Sequence, residues 1–469
     1  MTAGMDMSPL FPVMTSCANL SQDDLALKKA LHLYLSHYAP AAPDLALLAV
    51  NQLHRDCADQ DPTVRGLALR CLCSLRVPNL LEYLVAPVET ALGDRHPYVR
   101  RTAVLGVLKI HRLLPVAGPA APIAATSALV GRVRSILDPD TASKEDAQVV
   151  ANALHVVLAT EGASALRRDR SLVYSLVNRM RDFSDWAQCS VLELVAHYVP
   201  EGGADEVYAL LGALEDRLSH VNSAVAVAAM KAFLHLTLEM PATHQQVLER
   251  VREPLKTLLG RDDPATTYSV LCHARLLVRR APFVFERDHP SFYWRAHDPW
   301  YVRQLKCEAL AALATPSNAY DIVTELSEYV RVGGSGGQGA RAYAAREAVK
   351  AIGRVALAVP DAAGVAERLL ALLDPQSQAE PVVAEALLQL RDLVRRFPDL
   401  RVALAATAAF GGGEGEGGAE GEDDGAPTLR PAHVSDPEAR GALVWLLGEC
   451  SDAVPAAPYL LEELVAGAA

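Results

Sequence analysis

The sequence predicts an all-α fold in which helix pairs stack side by side, and three observations predict it. First, the stretch Ala39–Leu114 repeats itself: Asp61-Pro62-Thr63-Val64-Arg65 returns 35 residues later as His96-Pro97-Tyr98-Val99-Arg100. Second, an apolar ladder follows each proline. Val64, Leu67, Ala68, Cys71, Leu72 and Leu75 form one, and Val99, Ala103, Gly106, Val107 and Ile110 the other. Their i, i+3, i+4, i+7 spacing is that of one helix face. Third, 51% of the residues are apolar and only 6% aromatic. Alanine, leucine and valine in that proportion suit close helix packing better than sheets.

Each element of the repeat has a local cause. Asp61 and His96 stand where an N-cap is needed, and Pro62 and Pro97 take the first helical position, where a missing N–H costs nothing. Between the two ladders lies a second helical run, Leu80–Leu92. One repeat is therefore an antiparallel helix pair of roughly 35–40 residues, the pattern of a HEAT or armadillo-like α-solenoid.

The rest of the chain reads in the same way. Residues 1–22 are weakly patterned. Asp24–His37 and Pro43–Cys57 are amphipathic helices before the two strong repeats, and Pro115–Pro122 is a Pro/Ala connector. Further pairs are expected at Ser127–Leu137 with Ala147–Leu158, Leu172–Met180 with Trp186–Tyr198, Glu206–Leu218 with Ala224–Leu236, and His244–Leu259 with Ala265–Val278. The pattern breaks at Ala281–Tyr301, where seven aromatic residues crowd a bend; such a bend is expected to plug the solenoid rather than to stack a base or sugar. Helices resume at Val302–Leu313 and Ala319–Val330 and continue through Arg341–Ala358, Val365–Leu373, Pro381–Arg396 and Leu400–Phe410. Gly411–Gly425 is a Gly/Glu tract too poor in apolar surface to order itself. The organisation expected is a trunk over 1–410, an insert over 411–434, and a last helical pair over 435–469.

Composition excludes several classes. The net charge of −12 opposes general nucleic-acid binding, which needs a basic field. No apolar run reaches the roughly 18 residues of a membrane span. The eight cysteines are scattered without CxxC spacing, and no HExxH occurs, so reduced, mostly buried thiols are expected rather than a metal or redox site. Gly333–Gly339 formally contains both GxGxxG and GxSxG, the latter around Ser335. Both motifs need a preceding strand, and the residues before them read as helix, so a linker is expected. His289, His297 and Asp298 cluster in the aromatic bend without metal-ligand spacing. Neither catalysis nor a cofactor is expected.

Several stretches, in order, resemble the trunk of a β-type large subunit of the heterotetrameric adaptor complexes that sort cargo into vesicles. Tyr38–Asn51 resembles that family's tyrosine, proline-aspartate and apolar helix. Asp61–Arg76, Glu82-Tyr83-Leu84, Pro97–Ala103, Trp186-Ala187-Gln188, Tyr301-Val302 and Ala351–Arg354 follow in family order. Ala442–Glu449 resembles the tryptophan–glycine–glutamate helix, and with Pro458–Glu462 it is most similar to the β subunit of the fourth, clathrin-independent complex. The Gly/Glu insert is unlike the family. Helices that precede Met5 in the family trunk, and the trunk's end, hinge and appendage, fall outside the sequence. The chain thus reads as truncated at both ends, and Asp24–His37 is expected to bare Leu27, Leu31 and Tyr34.

The resemblance implies a scaffold that holds the medium subunit, pairs with the other large subunit and shares a complex with the small subunit. It implies recruitment to the trans-Golgi network membrane surface by a GTP-loaded Arf-class small G protein, with the protein cytoplasmic and peripheral on that membrane and its vesicles. The family's apolar contact with the G protein matches Leu47 and Val50 here. Those two positions share a helix face, with Leu45, Leu48, Ala49 and Leu53 left to supply the core stripe. Leu47 and Val50 are thus either an apolar outer face awaiting a partner or part of the core themselves. An alternative of another class is a nuclear-transport receptor or phosphatase scaffold built from the same repeats.

Overall fold

The computed structural model of the chain describes residues 5–17, 24–117, 123–334, 340–359, 363–373, 379–405, 429, 434–452, 454 and 457–466. Helices are the regular elements among these residues, and no strand occurs among them. The chain divides into two compact units, Met1–Val247 and Leu248–Ala469.

The first unit holds α1 (Phe11–Cys17), α2 (Leu25–Tyr38), α3 (Pro43–Asp56), α4 (Pro62–Leu72), α5 (Leu81–Leu92), α6 (Pro97–Ala117) and α7 (Ile123–Ser135). It continues with α8 (Pro139–Ala142), α9 (Ala147–Thr160), α10 (Arg170–Asn178), α11 (Asp185–His197), α12 (Gly203–Leu218) and α13 (Ser223–Leu236); the division falls inside α14 (Pro241–Leu259). One row of helices runs α2, α4, α6, α9, α11, α13, each packed on the next. Hairpin partners lie beside it: α3 on α4, α5 on α6, α7 on α9, α12 on α13. This is the stacked-pair arrangement of a HEAT or armadillo-like solenoid.

The caps form as the sequence dictates. The Asp61 carboxylate accepts the Thr63 N–H at 2.8 Å, and His96 Nδ1 accepts the Tyr98 N–H at 3.2 Å. Val99, Ala103, Val107 and Ile110 are fully buried, as are Ala68, Cys71, Leu72 and Leu75, while Val64 and Leu67 are only half-buried. The repeated arginine has a repeated use. Arg65 Nη1 donates to the Asp59 carbonyl at 2.9 Å and its other nitrogens grip Asp94 at 2.8 and 2.9 Å. Arg100 Nη1 donates to the Asp94 carbonyl at 2.7 Å and grips Glu145 at 3.1 and 2.5 Å. Each arginine thus ties its own loop to the next repeat with a bidentate, charge-assisted contact. The shared position in the two repeats was the sequence signal for this role.

The second unit holds α15 (Pro264–Arg280), α16 (Pro282–Phe285), α17 (Trp300–Leu313), α18 (Ala319–Gly334), α19 (Ala340–Ala358) and α20 (Ala363–Leu370). After these come α21 (Glu380–Arg396), α22 (Leu400–Ala405), α23 (Pro437–Glu449) and α24 (Ala457–Ala466). Its row runs α15, α17, α19, α21, α23, so the helix after the Gly/Glu tract packs on the helix row before it. Residues 411–425, expected to be disordered, lie outside the described residues, as do residues 335–339 of the Gly-rich linker.

The aromatic bend is a folded plug. Phe285 and Phe292 are fully buried. The rings of Trp294 and Tyr329 stack in parallel at 4.0 Å, and Tyr329 Oη accepts the Trp294 N–H at 2.8 Å. Asp288 takes the charges of Arg252 and of Lys256, the latter at 3.0 Å. His289 meets Tyr293 edge to face, His297 lies 3.5 Å from exposed Asp262, and Asp298 turns inward to Lys306. The three residues that cluster in sequence thus have three different neighbours.

The structure departs from the sequence reading over residues 8–17, over the α2 face they cover, and at the end of α6. Residues 8–17, weakly patterned in sequence, form a 3₁₀ turn and α1. Phe11 of α1 is 2% exposed and stacks on Tyr34 at 6.1 Å, while Tyr34 Oη donates to the Met7 carbonyl at 2.6 Å. Leu31 and Tyr34 are therefore buried, against the expectation of a bare α2, and only Leu27 of the three is exposed. A short segment with one large ring and one carbonyl suffices to cover that face, which periodicity over so few residues does not reveal. Helix α6 also runs past Pro115 to Ala117, since a proline in an exposed last turn gives up a single backbone bond.

Candidate functional site

The face singled out by the sequence lies on α3. Pro43 occupies its first turn and Asp44 favours the positive end of the helix dipole. Ala46, Ala49, Val50 and Leu53 are each at most 2% exposed and form the buried stripe. Asp44, Leu47, Leu48, Asn51 and Arg55 form the opposite, exposed face, again at i, i+3, i+4, i+7. Leu47 is 42% exposed, Leu48 65% and Val50 1%.

This corrects the sequence reading at two positions. Val50 belongs to the core, and it shares no accessible face with Leu47. Leu48, assigned to the core stripe, is solvent-facing. Residues three apart share a helix side only within a wide arc, and here the edge of the buried arc falls between positions 47 and 50. The exposed apolar pair on α3 is Leu47 with Leu48. α1 packs against α3, and its Val13 is exposed.

Beneath this face the helix is anchored by buried charge. Lys28 of α2 lies 3.4 Å from Asp56 at the end of α3, with both side chains under 10% exposed. Gln52 donates to the same carboxylate at 3.0 Å. Nearby thiols are inert: burial pushes Cys57 and Cys73 up to about 12, so both stay protonated at neutral pH. The arrangement offers a rigid helix with a small apolar outer patch. Such a patch suits protein docking and supplies no group for bond-making chemistry.

The glycine motifs have no catalytic setting. Gly333 and Gly334 end helix α18, where both motifs require a strand, and Ser335 lies outside the described residues. Among the described residues no group of His, Cys, Asp or Glu is placed to hold a metal ion, and no helix is long and apolar enough to cross a membrane.

Comparison with known proteins converges on one family. The model for the adaptin N-terminal region matches residues 1–467. A β-adaptin-like protein A of Arabidopsis thaliana is 40% identical, covering 99% of this chain and 52% of its own length. The AP-4 complex subunit beta-1 of mouse is 32% identical, covering 99% of this chain and 57% of its own length. The chain thus spans about half the length of these relatives. In structure it resembles a chain in a homology model of the full-length AP-3 complex, with a TM-score of 0.55 at 19% identity over 99% of this chain and 74% of that one, a likeness of fold. With a family model matching almost every residue and two β-type relatives above 30% identity, the chain belongs to the adaptin N-terminal region family.

Proposed function

We propose that this chain is the trunk of a β-type large subunit of a heterotetrameric adaptor complex. It is a non-catalytic scaffold in vesicle-mediated intracellular protein transport, acting in cargo sorting from the trans-Golgi network. The observation that carries this reading is the family match across residues 1–467. The β-subunit relatives at 40% and 32% identity support the subunit type, and the mouse AP-4 protein among them supports the fourth complex. In this role the helix rows hold the medium subunit and pair with the other large subunit, and the small subunit completes the assembly. The protein works in the cytoplasm, peripheral on membrane, through the complex.

Recruitment by an Arf-class small G protein belongs to the same reading. The exposed pair Leu47 and Leu48 supports a contact on α3, with Leu47 touching the partner and Val50 supporting the helix from within. An apolar patch of this size fits switch loops ordered by GTP. The test is co-expression of the tagged chain with the medium, small and second large subunits of the fourth complex. Co-elution of all four in size exclusion is expected. Elution of the chain alone, or capture of Ran or a phosphatase catalytic subunit instead, would overturn the reading.

A further inference from the structure

The plug of the second unit leaves part of its aromatic bend unused. Trp294 spends its polar atoms within the fold: its indole N–H donates to the Arg303 carbonyl at 3.1 Å and its backbone N–H to Tyr329. Trp300 and Tyr301, which end the bend and open α17, stand outside that stack. They join Tyr268 of α15 and Tyr343 of α19 in a ladder of four rings across three successive helices of the row. In the order Tyr268, Tyr301, Trp300, Tyr343, successive ring centroids are 5.5, 5.9 and 5.5 Å apart, and the ring planes cross at 80°, 85° and 88°. Tyr268 is 43% exposed, Trp300 49% and Tyr343 40%, and Tyr301 is half-buried.

The geometry, the donors and the charge at this ladder each point to a ligand. Rings that meet at right angles leave notches between them, where a parallel stack such as Trp294 on Tyr329 closes them. None of the three phenol hydroxyls, nor the Trp300 indole N–H, forms a hydrogen bond among the described residues, so four donors face outward beside apolar surface. Exposed apolar area gathered in this way marks an interaction site more often than a bare surface. Asp262, just ahead of the helix that carries Tyr268, has its side chain 86% exposed. Its nearest cations are Arg295 at 3.8 Å and His297 at 3.5 Å, contacts that at such exposure leave most of its charge to solvent.

We propose that this ladder binds a proline-rich segment of a partner protein in the polyproline II conformation, with a lysine or arginine of that segment facing Asp262. Polyproline II makes no internal hydrogen bonds, so its carbonyls are free to accept from the indole and phenol donors while proline rings fill the notches. The ladder spans at most about 17 Å, the length of about five such residues at roughly 3.1 Å each. A segment already extended in this way loses little freedom on docking, which suits a shallow surface. A wholly apolar partner would fill the notches and leave the donors unmatched and the carboxylate without a cation. The inference goes beyond the scaffold reading and stands without it.

The test uses the full chain and fluorescence anisotropy of two labelled peptides, deca-proline and deca-proline preceded by arginine. Saturable binding of both is expected. Trp300→Ala should weaken it at least about tenfold, as loss of a central aromatic anchor does. Trp300→Phe keeps a ring and removes the N–H donor, and should weaken it about fivefold, the worth of one hydrogen bond, at an unchanged thermal midpoint. This separates lost binding from lost fold. Trp186→Ala, which removes an exposed indole in the other unit, should change affinity less than about twofold. Asp262→Asn should weaken the arginine-bearing peptide about threefold and leave plain deca-proline unchanged. Absence of saturable binding would overturn the proposal. So would a Gly-Ser peptide of the same length that binds as tightly, or equal losses in Trp300→Ala and Trp186→Ala. Flotation with phosphatidylcholine vesicles, or self-association, that Trp300→Ala abolishes while neither peptide binds would give the ladder to a membrane or to a second copy and likewise overturn it.

Discussion

Lys306 Nζ lies 2.6 Å from Asp298 Oδ2, with the two side chains 1% and 7% exposed. The ammonium also donates to the Tyr293 carbonyl at 3.0 Å, so one cation fastens the aromatic plug to α17 at two points. Burial works against the lysine's charge and holds its pKa below the ordinary range despite the carboxylate beside it. Lys306→Met should therefore leave a buried carboxylate without its cation, at a cost of about 3–5 kcal/mol. Lys306→Met combined with Asp298→Leu should recover much of that, since the uncompensated charge is gone. Chemical denaturation followed by tryptophan fluorescence reads both; a single variant within about 1 kcal/mol of the parent would contradict this role.

Leu47 and Val50 should separate cleanly. Val50→Asp buries an unpaired charge in the first unit, and should cost more than about 4 kcal/mol or prevent folding. Leu47→Asp lies on the solvent face and should stay within about 0.5 kcal/mol of the parent while losing capture by GTP-loaded Arf. The thermal midpoint and the pull-down are measured on the same preparations. A folded Leu47→Asp that still binds would remove α3 from the recruitment surface.

Gly66 permits the approach of α4 to α6. A Cβ at this position would fall 2.2 Å from the Tyr98 ring. Gly66→Ala should destabilise by about 1–3 kcal/mol, as overpacking does, and the additional change Tyr98→Ala should remove most of the clash. Urea denaturation of the two variants measures this coupling, and an unperturbed Gly66→Ala would show that the ring moves freely.

Much of this fold was legible because its signals are local. A cap, a proline and a helix-period ladder lie within a dozen residues of one another, and at Asp61 and His96 they place helix starts directly. The pairing of α23 with α21 across the Gly/Glu tract and the covering of Tyr34 by Phe11 were not legible. Each depends on residues brought together by packing, and periodicity carries no information about that. The site was half legible for the same reason. An all-apolar run from Leu45 to Val50 shows that α3 has an apolar excess, but only the neighbouring helices decide that Leu48 faces out and Val50 in.

Glu206 should give the first unit a measurable acid sensitivity. Burial alone would raise its pKa, but hydrogen bonds from Tyr198 Oη and the Gly202 N–H, both at 2.7 Å, and the Arg170 charge outweigh burial and lower it. A carboxylate depressed in the folded state stabilises fully above its unfolded value, about 4.3, and that stabilisation is lost as pH falls through the folded value. Glu206→Gln should therefore be less stable than the parent at neutral pH, with the gap closing in acid. Unfolding free energies of the pair against pH test this, and a gap independent of pH would contradict it.

An adaptor scaffold is defined by the particle it builds, and the native mass of that particle is the measurement that bears on it without intermediaries. The purified chain is mixed with the medium, small and second large subunits, and the product is weighed by native mass spectrometry. One dominant particle containing each subunit once is expected, with cross-links from the medium subunit to the helix rows of this chain. A spectrum showing only the free 50.3 kDa chain beside an assembly of the other three would contradict it.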